Sequence, residues 1–238
     1  MILYYLRHGD PIYNPDSLTE LGHKQAAALS KRLALYGLDE IYVSTSNRAK
    51  LTAQPTYEAL GLTPIECPWA HEGQAWSRYA VKCSDGAERW GFHDGATIEK
   101  FHNPEVRALG AQWYTHPSFE GTPFSEGVPA TNADVDAFLR SLGFEHEREQ
   151  GRFRILKENK KRIALFAHQG FGLAFLSSLL DIPYPLFCTH FDLGLSSMTV
   201  INFEERGEYA YAKTLMHSND SHLYKENIMT GYQNCIDV

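Results

Sequence analysis

The sequence has few cysteines and no excess of positive charge, and each shortage excludes a class of protein. Only four cysteines occur among 238 residues, and no two have the CxxC spacing typical of zinc or redox sites. We therefore expect no disulfide framework and no metal. Lysine and arginine total 22 against 29 aspartates and glutamates, a net charge of −7. Nucleic-acid and anionic-membrane surfaces normally need clustered positive charge, so we expect neither partner.

Long apolar runs are also missing. The apolar run at residues 2–6 meets Arg7 too early for a signal peptide or a membrane span. We therefore expect a cytoplasmic protein. A chain of 238 residues is long enough for one large α/β domain that carries an insertion.

Segments typical of strands and helices alternate along the chain. Buried strands are predicted over residues 2–6, 41–43, 64–67 and 162–167, and an antiparallel pair over 197–203 and 208–215. Helices are predicted over residues 19–36, 47–60, 132–142 and 170–180, with Thr19 as an N-cap and Gly37 and Gly61 as end points. The apolar face of the first helix is predicted to comprise Leu21, Ala28, Leu29, Leu33 and Leu35. This order predicts a three-layer α/β/α sandwich with a mainly parallel sheet, as a single domain over residues 1–238.

Residues 74–130 interrupt this pattern. They are rich in glycine, proline and aromatic residues, and we expect an inserted lid without regular structure, a kind of segment that is usually functional. Residues 73–150 contain seven basic and twelve acidic side chains, which disfavours highly phosphorylated substrates. Trp76, Arg78 and Tyr79 are candidate substrate contacts in this lid.

Polar clusters follow three of the predicted strands. Arg7 and His8 follow the first strand, Arg48 lies shortly after the second, and His168 and Gln169 follow the strand at 162–167. Ligands of open α/β sheets bind at the carboxyl ends of strands, so we expect these side chains to meet. Fixed cations around a nucleophile suit the binding and transfer of a phosphoryl group.

Several motifs resemble those of the histidine phosphatase superfamily, also called the phosphoglycerate mutase-like family. They lie in the family's order, at residues 6–9 (LRHG), 18–26 (LTxxGxxQA), 44–53 (SxxxRAxxTA), 167–170 (AHQG) and 219–223 (NDSHL). The resemblance implies a phosphoglycerate mutase-like fold. Residues 74–160 match the family's pattern poorly.

The resemblance also implies roles for individual residues. His8 would attack phosphorus and become phosphohistidine, which suits the nucleophilicity of neutral imidazole near pH 7. Arg7, Arg48 and His168 would hold the phosphoryl oxygens. Gln169 would contact the substrate, and so would Asn14, although a turn residue before Pro15 is an equally good interpretation of Asn14.

The family needs a carboxylic acid that protonates the leaving oxygen and then activates water. Glu72 follows the third strand, where this acid usually lies, and is the preferred candidate. Glu66 is the alternative, although it belongs to the predicted strand itself. His71 either lines the pocket or faces solvent.

The resemblance therefore predicts a metal-independent phosphatase without a cofactor, acting on a small phosphorylated metabolite. Two alternatives stay open. A phosphoglycerate mutase would use the same chemistry, but its basic, proline-rich stretch has no counterpart in residues 74–100, which lack paired arginines and prolines. A non-catalytic phosphate-binding module is disfavoured because the catalytic residues are present.

Overall fold

The structure is a computed structural model that describes residues 1–231, so Cys235 lies outside the described residues. The strands are β1 (Ile2–Arg7), β2 (Pro11–Tyr13), β3 (Asp16–Leu18), β4 (Glu40–Ser44), β5 (Ile65–Cys67), β6 (Ala80–Lys82), β7 (Glu88–Trp90), β8 (Phe144–Glu147), β9 (Arg152–Ile155), β10 (Arg162–Ala167), β11 (Met198–Arg206) and β12 (Tyr209–Asn219). The helices are α1 (Glu20–Tyr36), α2 (Asn47–Leu60), α3 (Glu72–Tyr79), α4 (Gly95–Phe101), α5 (Pro104–Ala108), α6 (Phe124–Ser141), α7 (Gln169–Leu179), α8 (Tyr184–His190) and α9 (Ser221–Lys225).

One large sheet forms the centre of the molecule, in the strand order β5-β4-β10-β1-β11-β12-β9-β8. Strands β5, β4, β10 and β1 run parallel to one another, and the pairings from β1 through β11 to β8 are antiparallel. Arg7 at the end of β1 lies opposite Ala167 at the end of β10. The carboxyl ends of the parallel strands therefore meet at one edge of the sheet, as predicted.

Side chains alternate between the two faces of β1 and enter two separate hydrophobic clusters. Leu3 and Tyr5 belong to the cluster that includes residues of α6 and α7. Tyr4 and Leu6 belong to the cluster that includes residues of α1 and α2. Helices therefore cover both faces of the sheet, and the predicted α/β sandwich is confirmed.

Local capping chemistry explains the bounds of the first two helices. The Thr19 hydroxyl accepts a hydrogen bond from the Gly22 amide at the start of α1, and α1 ends at Gly37, whose φ is 71°. Helix α2 ends at Gly61, in the left-handed conformation that glycine adopts without strain. These bounds confirm the prediction. The predicted apolar face of α1 is partly wrong, because Leu21 and Leu35 are exposed.

The inserted segment has regular structure, which corrects the prediction for residues 74–130. Helix α3 begins at Glu72, a hairpin of β6 and β7 follows, and α6 starts at Phe124 rather than near residue 132. Its aromatic side chains form a compact cluster in which the rings of Phe101, Phe119 and Phe124 surround Trp113 at centroid distances of 5.0–5.3 Å. The aromatic residues of the inserted segment therefore pack tightly against one another.

The described residues contain neither a disulfide nor a membrane-spanning helix. Cys67, Cys83 and Cys188 are buried free thiols, so no disulfide forms within residues 1–231. No helix of this described part has the length and apolar character needed to cross a membrane.

Candidate active site

His8 lies directly after β1 in a buried position. Its amide donates a hydrogen bond to the Ala167 carbonyl oxygen at 3.0 Å, and its side chain Nδ1 lies 2.7 Å from the Gly9 carbonyl oxygen. This contact places a proton on Nδ1 and leaves Nε2 with a free lone pair. Burial and then the Arg7 guanidinium lower the pKa of His8 to about 3, so the ring is uncharged near neutral pH.

Close backbone packing explains the glycines of the first two motifs. A Cβ atom at Gly9 would lie 2.8 Å from the Gly22 carbonyl oxygen, which is too close for any side chain. A Cβ at Gly22 would in turn collide with the Asp10 carbonyl oxygen. The start of α1 is therefore pressed against the loop that carries His8, and the Gly9 amide donates to the Thr52 hydroxyl of α2 at 3.0 Å.

Two arginines flank the histidine. Arg7 is buried and donates from Nη1 to the Leu193 carbonyl oxygen at 2.5 Å. Arg48 donates from Nη1 to Asp16 Oδ1 at 2.9 Å, and its guanidinium lies 5.5 Å from the centre of the Tyr13 ring. Asp16 also accepts from the Asn47 amide at 2.7 Å, so this one carboxylate orients both the start of α2 and the arginine.

His168 lies behind His8 rather than in the wall of the cavity. Its side chain is fully buried, and the two imidazole rings meet edge to face with centroids 5.2 Å apart. The Ser44 and Ser46 hydroxyl oxygens lie 2.8 and 3.2 Å from Nε2, whereas Nδ1 has no hydrogen-bond partner within residues 1–231. Burial, together with His8 and Arg48, holds the pKa of His168 well below its usual value. The ring is therefore neutral, and its hydrogen is on Nδ1 if the serines donate to Nε2.

The Glu72 carboxylate is held at the amino end of α7. Its Oε1 accepts from the Gly170 amide at 3.0 Å and its Oε2 from the Phe171 amide at 2.9 Å. Burial raises the pKa of Glu72, although the two amides, Arg48 and Arg7 oppose that shift. Glu66 is half exposed and forms a 2.7 Å ion pair with Lys50 at the surface. The structure therefore brings Glu72, and not Glu66, to the histidine.

A cavity with a volume of about 470 Å³ contains most of these groups. Its lining residues are Arg7, His8, Tyr13, Arg48, His71, Glu72, Gly73, Trp76, Trp90, His93 and Gln169. The interpretation of His71 as a pocket residue is therefore confirmed. Asn14 does not line this cavity: it is exposed in the turn between β2 and β3, so the turn interpretation describes it better.

The three predicted substrate contacts of the lid have different surroundings in the structure. Trp76 lines the cavity, one helical turn beyond Glu72 on α3. Arg78 instead forms a 2.6 Å ion pair with Asp134 of α6. Tyr79 lies a further turn along, beyond the cavity, where its ring packs 4.5 Å from that of Tyr184. Of the three predicted contacts, Trp76 alone therefore lines the cavity.

Sequence reasoning missed several side chains that shape the site. Trp90 and His93 reach the cavity from the inserted segment, and Asp16 orients Arg48 from the hairpin before α1. No local pattern marks these residues, because each meets its partners only through the fold. Gln169, the predicted substrate contact, lines the cavity, and its amide nitrogen donates to the Asp192 carboxylate.

Taken together, the site combines an uncharged imidazole, two guanidinium groups and a carboxyl group of raised pKa around one cavity. Guanidinium groups bind the oxygens of phosphate well, and a neutral imidazole is a good nucleophile. A carboxyl group whose pKa is raised can donate a proton near neutral pH. This set of groups is suited to covalent phosphoryl transfer.

Comparison with known proteins identifies a family that part of the chain resembles. Residues 3–76 match the family model "Histidine phosphatase superfamily (branch 1)", a range that includes Arg7, His8, Arg48 and Glu72. A comparison with curated proteins finds no match.

Several solved structures share the fold. Phosphoserine phosphatase from Entamoeba histolytica has a TM-score of 0.57 at 18% identity, over 93% of this chain and 98% of that one. The mycobacterial glucosyl-3-phosphoglycerate phosphatase has a TM-score of 0.56 at 21% identity, over 90% and 97% of the two chains. Residues 3–76 therefore resemble the histidine phosphatase superfamily in sequence, and the chain shares its fold with these two phosphatases.

Proposed function

We propose that this protein hydrolyses small phosphomonoesters through a phosphohistidine formed on Nε2 of His8. The observation that carries the proposal is the state of His8. The contact with the Gly9 carbonyl fixes the proton on Nδ1, and the lowered pKa keeps the ring uncharged in a cavity that also contains Arg7, Arg48 and Glu72. A neutral nucleophile beside two fixed cations is the arrangement that attack on a phosphate dianion requires.

In the first step the lone pair of His8 Nε2 forms a bond to phosphorus while the bond from phosphorus to the ester oxygen breaks. The leaving oxygen takes a proton from the Glu72 carboxyl group. Arg7 and Arg48 neutralise the charge on the phosphoryl oxygens, and the neutral His168 ring supports His8 from outside the cavity wall. The products are an alcohol and phosphohistidine.

In the second step the ionised Glu72 removes a proton from water, whose oxygen attacks phosphorus. The bond between phosphorus and His8 Nε2 breaks, and inorganic phosphate leaves. Glu72 is protonated again and His8 is neutral again, so the cycle closes without any further reactant. The raised pKa of Glu72 supports both halves of this role, because the group must both donate and accept a proton near neutral pH.

The packing of the lid against the central core supports the proposal that residues 1–238 form one domain. Phe101 and Trp113 of the inserted segment belong to the same hydrophobic cluster as Leu3 and Tyr5 of the central strand. A lid that shares the core of the sheet folds with it rather than as a separate unit.

Activity should persist without divalent cations, because Arg7 and Arg48 supply the positive charge that metal-dependent phosphatases obtain from bound ions. We expect hydrolysis of an aryl phosphate in excess EDTA to proceed at the rate measured without chelator. Released phosphate is the measurement, and an EDTA-treated metal-dependent phosphatase is the control. Loss of activity that added magnesium or zinc restores would contradict this mechanism.

Phosphate should be released to water rather than returned to a second acceptor. The cavity is lined by no lysine or arginine besides Arg7 and Arg48, among the described residues, so it has no spare cation for the second phosphate of a bisphosphate. Incubation with 3-phosphoglycerate and 2,3-bisphosphoglycerate should therefore give little 2-phosphoglycerate. Efficient interconversion without net phosphate release would establish the mutase alternative instead.

A further inference from the structure

A second cavity adjoins the catalytic one. It has a volume of about 330 Å³ and shares His93 and Gln169 with the catalytic cavity. Its other lining residues are Phe92, Ile98, His102, Leu173, Cys188, Thr189, His190, Phe191 and Asp192. The mechanism uses none of them. The shared residues make the two cavities neighbouring compartments of one depression.

A row of aromatic rings runs along both compartments. The Trp76 and Trp90 rings meet edge to face at a centroid distance of 5.0 Å, and Trp90 stacks on Phe92 at 5.6 Å. Phe92 meets His93 edge to face at 4.4 Å. Trp76 and Trp90 line the catalytic cavity, Phe92 lines the second one, and His93 lines both. The row therefore extends from the catalytic cavity into the second one.

The position of Trp90 is fixed by tight packing. A Cβ atom at Gly170 would lie 2.5 Å from Cη2 and Cζ2 of the Trp90 indole. Gly170 is also the residue whose amide holds the Glu72 carboxylate. The aromatic row is therefore anchored beside the general acid, where the leaving group must lie when its oxygen receives a proton.

Fixed positive charge is confined to the phosphoryl end of the depression. Arg7 and Arg48 line the catalytic cavity, and no lysine or arginine lines the second one in the described part of the chain. The second cavity instead contains the Asp192 carboxylate, which accepts from Gln169 and from the Leu193 amide. A carboxylate or second phosphate on the leaving group would meet Asp192 and no fixed cation, and burying such an unpaired charge is costly.

We propose that the two cavities form one binding site for a leaving group that contains an aromatic ring and carries no second anionic group. This proposal rests on the proposed function and names its substrate class: monophosphate esters of an aromatic alcohol or of a nucleoside. The aromatic row provides stacking and edge contacts for such a ring. Arg7 and Arg48 both bind the single phosphoryl group.

Matched pairs of substrates test the proposal, because members of a pair share the ester chemistry and differ only in the ring. The pairs are phenethyl phosphate against ethyl phosphate, and adenosine monophosphate against ribose 5-phosphate. We expect kcat/KM to be at least about tenfold higher for the aromatic member of each pair. O-Phosphoserine and 3-phosphoglycerate, which carry a carboxylate, should be poorer substrates than ethyl phosphate.

Two substitutions locate the site, each with an exposed matched control. Trp76→Leu removes a ring from the row, and Ile98→Trp fills the second cavity. Trp76→Leu should lower the aromatic preference by about fivefold or more in both pairs, whereas Ile98→Trp should lower it in the nucleotide pair. Tyr224→Leu and Leu35→Trp, at positions 87% and 79% exposed, should leave both preferences unchanged.

Different results overturn different parts of the account. Equal kcat/KM within both pairs, or a preference for phosphoserine or phosphoglycerate, would overturn the aromatic site while leaving the phosphatase intact. An unchanged preference in both Trp76→Leu and Ile98→Trp would also overturn it. Absence of phosphate release from every ester, including an aryl phosphate, would instead refute the proposed function itself.

Discussion

Replacing His8 by alanine should lower kcat/KM on the order of 10⁵-fold or more, as removal of the nucleophile does in other covalent enzymes. Alanine has no group that can attack phosphorus, and Arg7, Arg48 and Glu72 would remain around an empty position. Steady-state release of phosphate from an aryl phosphate is the measurement. His23→Ala is the matched control, because His23 is an exposed histidine on α1.

Two outcomes of this experiment would favour an alternative to the proposed mechanism. Wild-type turnover that His8→Ala leaves within a few-fold would show that His8 is not the nucleophile. Tight phosphate binding without any wild-type turnover would support the non-catalytic binding module. A circular dichroism spectrum shared by wild type and both variants is needed, since His8 is buried against β10.

Replacing Glu72 by glutamine should lower the rate of alkyl-ester hydrolysis by about 10²–10⁴-fold, the usual effect of losing general acid catalysis. The reason is that an alkoxide is a strong base and leaves slowly without a proton. An aryl oxide is a weaker base, so the loss for aryl esters should be much smaller. Glu66→Gln is the matched control and should resemble wild type, because Glu66 lies at the surface with Lys50.

The pH profile adds an independent check on the role of Glu72. Because burial raises its pKa, the wild-type rate on an alkyl ester should fall as the pH rises through that pKa and the proton is lost. Glutamine does not ionise, so this part of the descending limb should disappear in Glu72→Gln. Ionisation of the substrate changes the rates of wild type and Glu72→Gln in the same way. Equal losses on aryl and alkyl esters, or a Glu66→Gln variant that shows the leaving-group dependence, would mean that Glu72 is not the acid.

Features that depend on local sequence were predicted well. Helix α1 was predicted from Thr19 and Gly37 and α2 from Gly61, because caps and glycine stops act within a few residues. The convergence of Arg7 and Arg48 was also predictable, because it follows from the parallel direction of β1 and β4.

Features that depend on contacts with residues distant in the sequence were not predicted. Helix α6 contains Pro129 after its first turn, and a proline normally argues against a helix interior, so its start was placed too late. Strands β8 and β9 were missed because they are short and carry alternating charged residues, which pair with each other at the sheet's edge. Leu21 and Leu35 have apolar side chains, but no element of residues 1–231 covers them.

The residues of the site likewise fall into those that local motifs predict and those that only the fold brings to the cavity. The positions of His8 and His168 after β1 and β10 could be predicted from motifs, because each motif lies at a strand end. Trp90 and His93 could not, because they reach the cavity only after the inserted segment has folded over Gly170. Glu72 was preferred over Glu66 from its position after the third strand, but the two α7 amides that hold its carboxylate lie about a hundred residues away along the chain and could not be predicted.

The most direct test of the central claim is to identify the residue that carries the phosphoryl group during turnover. Wild type should be quenched within one turnover at neutral or alkaline pH, where phosphohistidine survives, and then digested and mapped by mass spectrometry. Glu72→Gln should be treated in the same way, since loss of its base function slows dephosphorylation. The account predicts one phosphoryl group on the peptide that contains His8, more of it in Glu72→Gln, and none in His8→Ala. A phosphoryl group on another residue, or full turnover with no phosphoenzyme in either protein, would contradict it.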